Sequence, residues 1–400
     1  MNTRNTTPAD VPVRDFNHHA DPDLRIDPFA TFDRFRDERV FWTPELDGFW
    51  VLTRYDDIRA VLRDTERFSN ESTAIPPIDW NGQRLIPVEL DPPDHGKYRT
   101  LLTRYLNGPA NAVLATAVEK ECLRLVERLA PAGECELVGD FARKLQNALL
   151  GAMFDEPGEE DDVPDFGRLS DDLVQASEPA RRSRAIRDIM AYLRRAIAGH
   201  QTRRTDSTSL IASLSGAEID GRPLSESETL NMAFLMTMAA IDTLTSSMSF
   251  GFRYLAEHPA HQRRLAEDPG AAAAAADELL RLHSVVSIAR IVARDTEFAG
   301  VRMRAGERVM LSLSLAGRDP HQYPEATTAD FDRPNRASHL AFGFGAHRCA
   351  GARIATGGMI AALREWHAAI PEYSVRLGTE LVTGGGAAAS LESLPLVWKT

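Results

Sequence analysis

Apolar residues recur three apart at Phe29, Phe32 and Phe35 and predict a helix over 27–39. A short apolar run at 48–53 predicts a strand, and 56–64 reads as a second helix. Between 70 and 93 the prolines Pro76, Pro77, Pro87, Pro92 and Pro93 break any regular element. Helical patterning then dominates as far as Pro259, and strand patterns return at 288–294, 297–302, 307–315 and near the C-terminus. The small-residue run at 384–389 lies between strand-like segments and reads as a hairpin tip. Residues 1–24 are polar and aperiodic, the pattern of a loose arm. With no fixed-period repeat and no long Gly/Ser linker, residues 1–400 read as one mainly α domain with a small β-rich portion.

One predicted helix is unusually long. Ser225 and Glu228 form a capping-box pattern, and helical composition continues to His258, before Pro259. A helix over 225–258 would be a rod of roughly 50 Å, as long as the domain is wide, so it must run through the middle. Its centre places small Ala239 and Ala240 beside the polar pair Asp242 and Thr243. A core helix accounts for Thr243 if its hydroxyl bonds a carbonyl one turn earlier. A buried aspartate without an obvious partner is harder to explain by packing.

The 400 residues include 46 Lys+Arg and 58 Asp+Glu, a net charge of −12, with 43% hydrophobic residues. That balance fits a soluble globular protein able to enclose a sizeable cofactor, and it disfavours a nucleic-acid binder. Three cysteines are too few for a disulfide scaffold and fit a reducing cytoplasm. The N-terminal residues lack the apolar core of a signal peptide, and the most apolar stretch, 232–241, is too short to cross a bilayer.

The segment 341–355 carries the most specific chemistry. Gly343 and Gly345 allow a tight turn, and the sequence becomes helical after Cys349, which places its sulfur near a helix N-terminus. Free N–H groups there favour a thiolate, suited to a single axial bond to haem iron. A nucleophilic pair of Cys349 with His347 is an alternative that needs no haem. Cys122 and Cys135 read as buried structural thiols. No C-x-x-C spacing suggests zinc, and no C-x-x-C-H suggests a covalently attached haem.

Phe342, Gly343, Gly345, His347, Cys349 and Gly351 stand at the spacing of the haem-binding signature of the cytochrome P-450 monooxygenases, and the chain resembles that family over nearly its whole length. Four further segments match in order. Glu278 and Arg281 resemble the family's E-x-x-R pair, with Arg333 as its implied partner. The segment 239–243 resembles the oxygen-activation motif of the distal helix. His95 and Arg99 follow Asp91-Pro-Pro-Asp, and Arg290 matches a propionate-binding arginine.

The resemblance implies a helix-rich triangular domain with a long central distal helix and haem b ligated by Cys349. It implies that His95, Arg99, Arg290 and His347 bind the propionates, with O2 as co-substrate. Asp242 and Thr243 would be the catalytic pair that delivers protons for O–O cleavage. A small or mid-sized, mostly hydrophobic substrate would lie against Ala239, Ala240, Val286 and Ile288, with 73–88, parts of 165–195 and the turn near Ser390 and Leu391. Arg84 and the arginines at 181, 182 and 184 could meet an anionic group or only solvent. Electrons would come from a separate ferredoxin and ferredoxin reductase, docking near Lys97, Arg104, Arg348 and Arg353. The expected protein is a cytoplasmic monomer with no membrane or nucleic-acid partner.

Two positions depart from the family pattern: Ala240 stands where glycine is usual, and Thr356 where arginine is common. A non-catalytic haem sensor or carrier is the alternative function; it would share Cys349 without needing Asp242 and Thr243.

Overall fold

The computed structural model describes residues 11–154, 166, 169, 172–173, 179–203 and 208–400. The β portion centres on Arg308–Ser312. This strand runs parallel to Phe49–Leu52, with Val309 opposite Trp50, and antiparallel to Ser287–Val292, with Val309 opposite Arg290. Val40–Thr43 and Phe68–Ser69 form the two edges. Side chains alternate across the sheet, as strand geometry requires. Trp50, Leu52, Val292, Val309 and Leu311 pack on one face, and Phe49, Val51, Ala289 and Met310 on the other.

The helical portion is organised around Ala352–Ala369, which packs on Pro109–Leu129, Ala272–Leu282, Pro259–Glu267 and Thr243–Ala256. Trp366 is fully buried near its C-terminal end, edge-on to Phe141, Phe252, Tyr373 and Trp398. Near the helix start Gly358 has no side chain, and a Cβ there would already touch Val118 at 3.4 Å. Among the described residues no helix is long and apolar enough to cross a membrane.

The arm predicted as loose is docked from residue 11 onward; residues 1–10 lie outside the described chain. Phe16 is buried against Phe32, Phe35 and Phe41, and Trp42 N–H donates to the Pro12 carbonyl. Aromatic burial offsets the ordering cost that the polar sequence suggested would win. The helix expected over 27–39 is the shorter Pro28–Asp33. The strand expected over 307–315 ends at Ser312, whose hydroxyl accepts from Leu315 N–H and starts a short helix.

The hairpin tip at 384–389 is present, between the paired strands Thr383–Gly384 and Ser390–Leu391. It closes on the arm, where Gly386 N–H donates to the His18 carbonyl. Gly385 is required there, because a Cβ would lie 2.6 Å from the His18 carbonyl oxygen.

The largest correction concerns the central rod. It is two helices, Glu226–Ala240 and Thr243–Ala256, separated at Ile241 and Asp242. The capping box at Ser225 and Glu228 is formed as expected. Asp242 leaves the helical region at φ −142°, ψ −32° and becomes the N-cap of the second helix. Helical composition through this stretch does not reveal the break, since alanine, isoleucine and threonine carry no strong stop signal.

Candidate active site

The 3-10 turn Gly345–His347 and the two residues after it carry the thiol loop. Cys349 N–H donates to the Phe342 carbonyl at 2.8 Å, and Gly343 N–H to that of Leu340 at 2.7 Å. Gly343 and Gly345 have φ of 67° and 74°, a region that side chains disfavour. Cys349 then stands just before Gly351, the N-cap of Ala352–Ala369. Backbone N–H groups of Gly351 and Ala352 are directed at its sulfur and favour the thiolate, as do Arg99 and Arg348. Burial outweighs them and raises the thiol pKa. The N–H groups at the helix start thus lower the thiol pKa, in the direction its position in the sequence suggested, but do not offset burial. Coordination to a metal deprotonates a thiol outright. Cys349 is enclosed by protein yet keeps solvent-accessible surface on its open side, whereas Cys122 and Cys135 have almost none.

The four expected propionate ligands converge beside this loop. His95 and Arg99 are four apart on Asp94–Asn107 and so share a face. The His95 ring lies 3.9 Å from that of His347, and an Arg99 Nη donates to the Arg348 carbonyl. Arg290 projects from Ser287–Val292, is buried, and donates to the Ala289 carbonyl at 2.7 Å.

Burial lowers the pKa of all four groups, with His347 brought to about 3 and Arg290 to about 10. His347 feels repulsion from His95, Arg290 and Arg99, opposed by the carboxylate of Asp91. Asp91 accepts from Ser69 Oγ and from Asn70 N–H. Both ring nitrogens of His347 are buried without a hydrogen-bond partner. A cluster so rich in donors and so poor in anions fits two carboxylates beside a sulfur. These residues fit the propionates and iron of a haem. Asp91 was not singled out as a site residue, and nothing in its local sequence distinguishes it from its neighbour Asp94.

Glu278 and Arg281 form a bidentate pair at 2.8 Å, both fully buried, and Arg333 Nε donates to the same carboxylate at 2.8 Å. Arg281 also donates to the carbonyls of Gly317, Ala326 and Thr328. Gly317 is there of necessity, since a Cβ would lie 2.1 Å from the Arg281 carbonyl oxygen. Burial pushes the Glu278 carboxyl up, but hydrogen bonds from Arg281 and Arg333 prevail and hold it below its ordinary value.

At the helix break, Ala239 is exposed while most of its helix is buried, and Ala240 and Thr243 are half-buried. Leu244 and Met248 bring the second helix against Gly358, in the helix that follows Cys349. Thr243 Oγ1 donates to the Ala239 carbonyl, and Ser246 Oγ to Asp242 Oδ1.

The sequence matches the family described as cytochrome P-450 over residues 39–365. The chain belongs to the cytochrome P-450 family. It is 31% identical to the probable cytochrome P-450 127A1 of Sinorhizobium fredii, covering 98% of this chain and 97% of that protein. It is 30% identical to the cytochrome P-450 monooxygenase PikC of Streptomyces venezuelae, covering 99% and 97%. The solved structure of cytochrome P-450 CYP101C1 superimposes with a TM-score of 0.89 at 29% identity, covering 98% and 99%. This P-450 is a monooxygenase of the bacterial type, in a family that uses a cysteine-ligated haem and O2.

The other expected site residues divide. Val286 and Ile288 are half-buried, and Val286 bridges to Ala388 in the hairpin tip. Ser390 and Leu391 are in a strand and buried, so the turn expected there is formed by the residues before them. Arg84 is spent on the Glu89 carbonyl, Arg181 on Asp172 and Arg182 on the Leu173 carbonyl. Residues 165, 167–168, 170–171 and 174–178 of the expected lining lie outside the described chain. Lys97 is paired with Asp94 and Asp220, whereas Arg104, Arg348 and Arg353 are exposed.

Proposed function

We propose that this P-450 holds haem b through Cys349, binds its propionates with His95, Arg99, Arg290 and His347, and oxygenates a small or mid-sized hydrophobic compound. Electrons come from a separate ferredoxin and its reductase. The observation that carries this reading is the buried, anion-poor cluster around His347, with its two unpartnered ring nitrogens, adjoining Cys349.

When bound, the haem supplies the iron at which dioxygen is activated. The chain supplies the proton path. Thr243 Oγ1 gives its own hydrogen to the Ala239 carbonyl, so its oxygen is oriented as an acceptor for a proton-bearing water. Asp242 stands next to it at the helix break and relays protons through its carboxylate, with Ser246 Oγ donating to Oδ1. Ala239, Ala240, Val286 and Ile288 offer an accessible apolar surface, which supports a hydrophobic substrate. Glu278, Arg281 and Arg333 act structurally, tying the segment before the thiol loop to Ala272–Leu282. Arg348 and Arg353, exposed beside that loop, support an acidic electron donor.

The reduced protein with carbon monoxide should show a Soret band at roughly 450 nm, the mark of a thiolate-ligated haem. Cys349→Ser should abolish that band. A band unchanged by the substitution, or a protein that takes up no haem, overturns the reading. Arg348→Glu should slow reduction by ferredoxin and leave peroxide-driven turnover unchanged; equal losses in both assays argue against docking there.

A further inference from the structure

Taking Cys349 as the iron ligand, we propose that Arg59 is a positioning residue for the thiol loop, acting through the ring of Phe344. The guanidinium carbon of Arg59 lies 4.4 Å from the Phe344 ring centroid, and that of Arg63 lies 6.0 Å away. The two arginines are four apart on Tyr55–Arg63 and so face the same side. Neither is in an ion pair among the described residues, which leaves the ring face as the counterpart of the nearer charge.

Phe344 is the side chain best placed to be gripped. It stands between Gly343 and Gly345, both at positive φ, where the backbone has little stiffness of its own. The loop also closes on the same helix through its backbone: a Cβ on Gly345 would lie 2.7 Å from the Leu62 carbonyl oxygen. The helix in turn is fixed to the segment entering the loop. Tyr55 Oη donates to the Ser338 carbonyl at 2.7 Å, and Tyr55 N–H to Asp319 at 2.8 Å. Tyr55–Arg63 thus braces the loop at its entrance and at its middle. The bond from Cys349 N–H to the Phe342 carbonyl carries that placement to the sulfur.

A cation over an aromatic ring at a half-exposed site changes an equilibrium by about 2- to 5-fold. The test uses the haem-loaded protein and three readouts: the rate of haem transfer to apomyoglobin, the share of the reduced carbon monoxide complex in the roughly 450 nm thiolate form, and the urea midpoint. Arg59→Leu should raise the transfer rate by about 2- to 5-fold and lower the thiolate share, with little change in the midpoint. Arg59→Lys should recover part of the loss. In a Phe344→Leu background, Arg59→Leu should have no further effect.

The proposal is overturned if Arg59→Leu changes neither haem readout, or if its full effect persists without the Phe344 ring. Arg59→Gln repeats the comparison should leucine on this surface impair folding. An unaltered protein with no thiolate band would overturn the haem-thiolate reading and the proposal with it. A normal band in protein and variants alike, together with an unchanged transfer rate, overturns the proposal alone.

Discussion

The Thr243 hydroxyl donates to the Ala239 carbonyl at 2.9 Å, joining the last turn of one helix to the first residue of the next. The bond spans Ile241 and Asp242, where the central rod is interrupted. It is the back-bond expected of a threonine in a core helix. At a helix break it also fixes the direction in which the oxygen lone pairs point. The structural and catalytic accounts of Thr243 are therefore compatible.

Thr243→Ala removes this oriented oxygen and little volume. Product formation should fall by roughly 10²-fold, the low end for a positioned proton-transfer group. Consumption of reductant should continue, with hydrogen peroxide released in place of product. The ratio of product to reductant consumed measures the effect, and Thr243→Ser should retain most of the coupling.

Glu278→Gln removes the charge that two buried guanidinium groups share. Breaking a buried pair in this way costs about 3–5 kcal/mol, read from urea unfolding. The pH dependence has a definite sign. The folded Glu278 pKa is lowered, so its contribution is complete above the ordinary value of 4.5 and disappears as pH falls through the lower folded value. The glutamine variant should lack that part of the acid sensitivity.

His18 lies buried under the hairpin tip, and burial, aided by repulsion from His19, lowers its pKa from 6.5 to about 3. The Ile75 carbonyl opposes the shift. The unfolded chain binds this proton more readily, so the fold keeps the full benefit above 6.5 and loses it as pH falls towards about 3. Urea midpoints of the unaltered protein should decline across that window, and His18→Phe should flatten the decline.

Thiol labelling should single out one cysteine. Burial pushes Cys122 and Cys135 up to about 12, and both are enclosed. A thiol reagent should therefore modify Cys349 alone in native haem-free protein, and haem loading should protect it. Mass mapping of the labelled peptide checks both outcomes. Fast labelling of Cys122 would contradict its place in the core.

Much of the site was legible in the chain because its residues lie in short local patterns. The glycines of the thiol loop, the capping box at Ser225 and the E-x-x-R spacing are set by backbone geometry over a few residues, and the fold places them as expected. Asp91, the docked arm and the brace from Arg59 to Phe344 were not legible. Each depends on contacts between segments far apart in sequence, where no local pattern constrains the partner.

The break at Asp242 belongs to the same class. Helical composition along 225–258 suggests one continuous rod, and only the folded backbone at Asp242 reveals two. By itself the sequence determined the family and the mainly helical class and pointed to the sulfur at 349, since chain stiffness and residue chemistry act locally. The tertiary structure decided which cations surround His347, which charges are already neutralised and where the rod is interrupted. Burial and pairing arise only when separate segments meet.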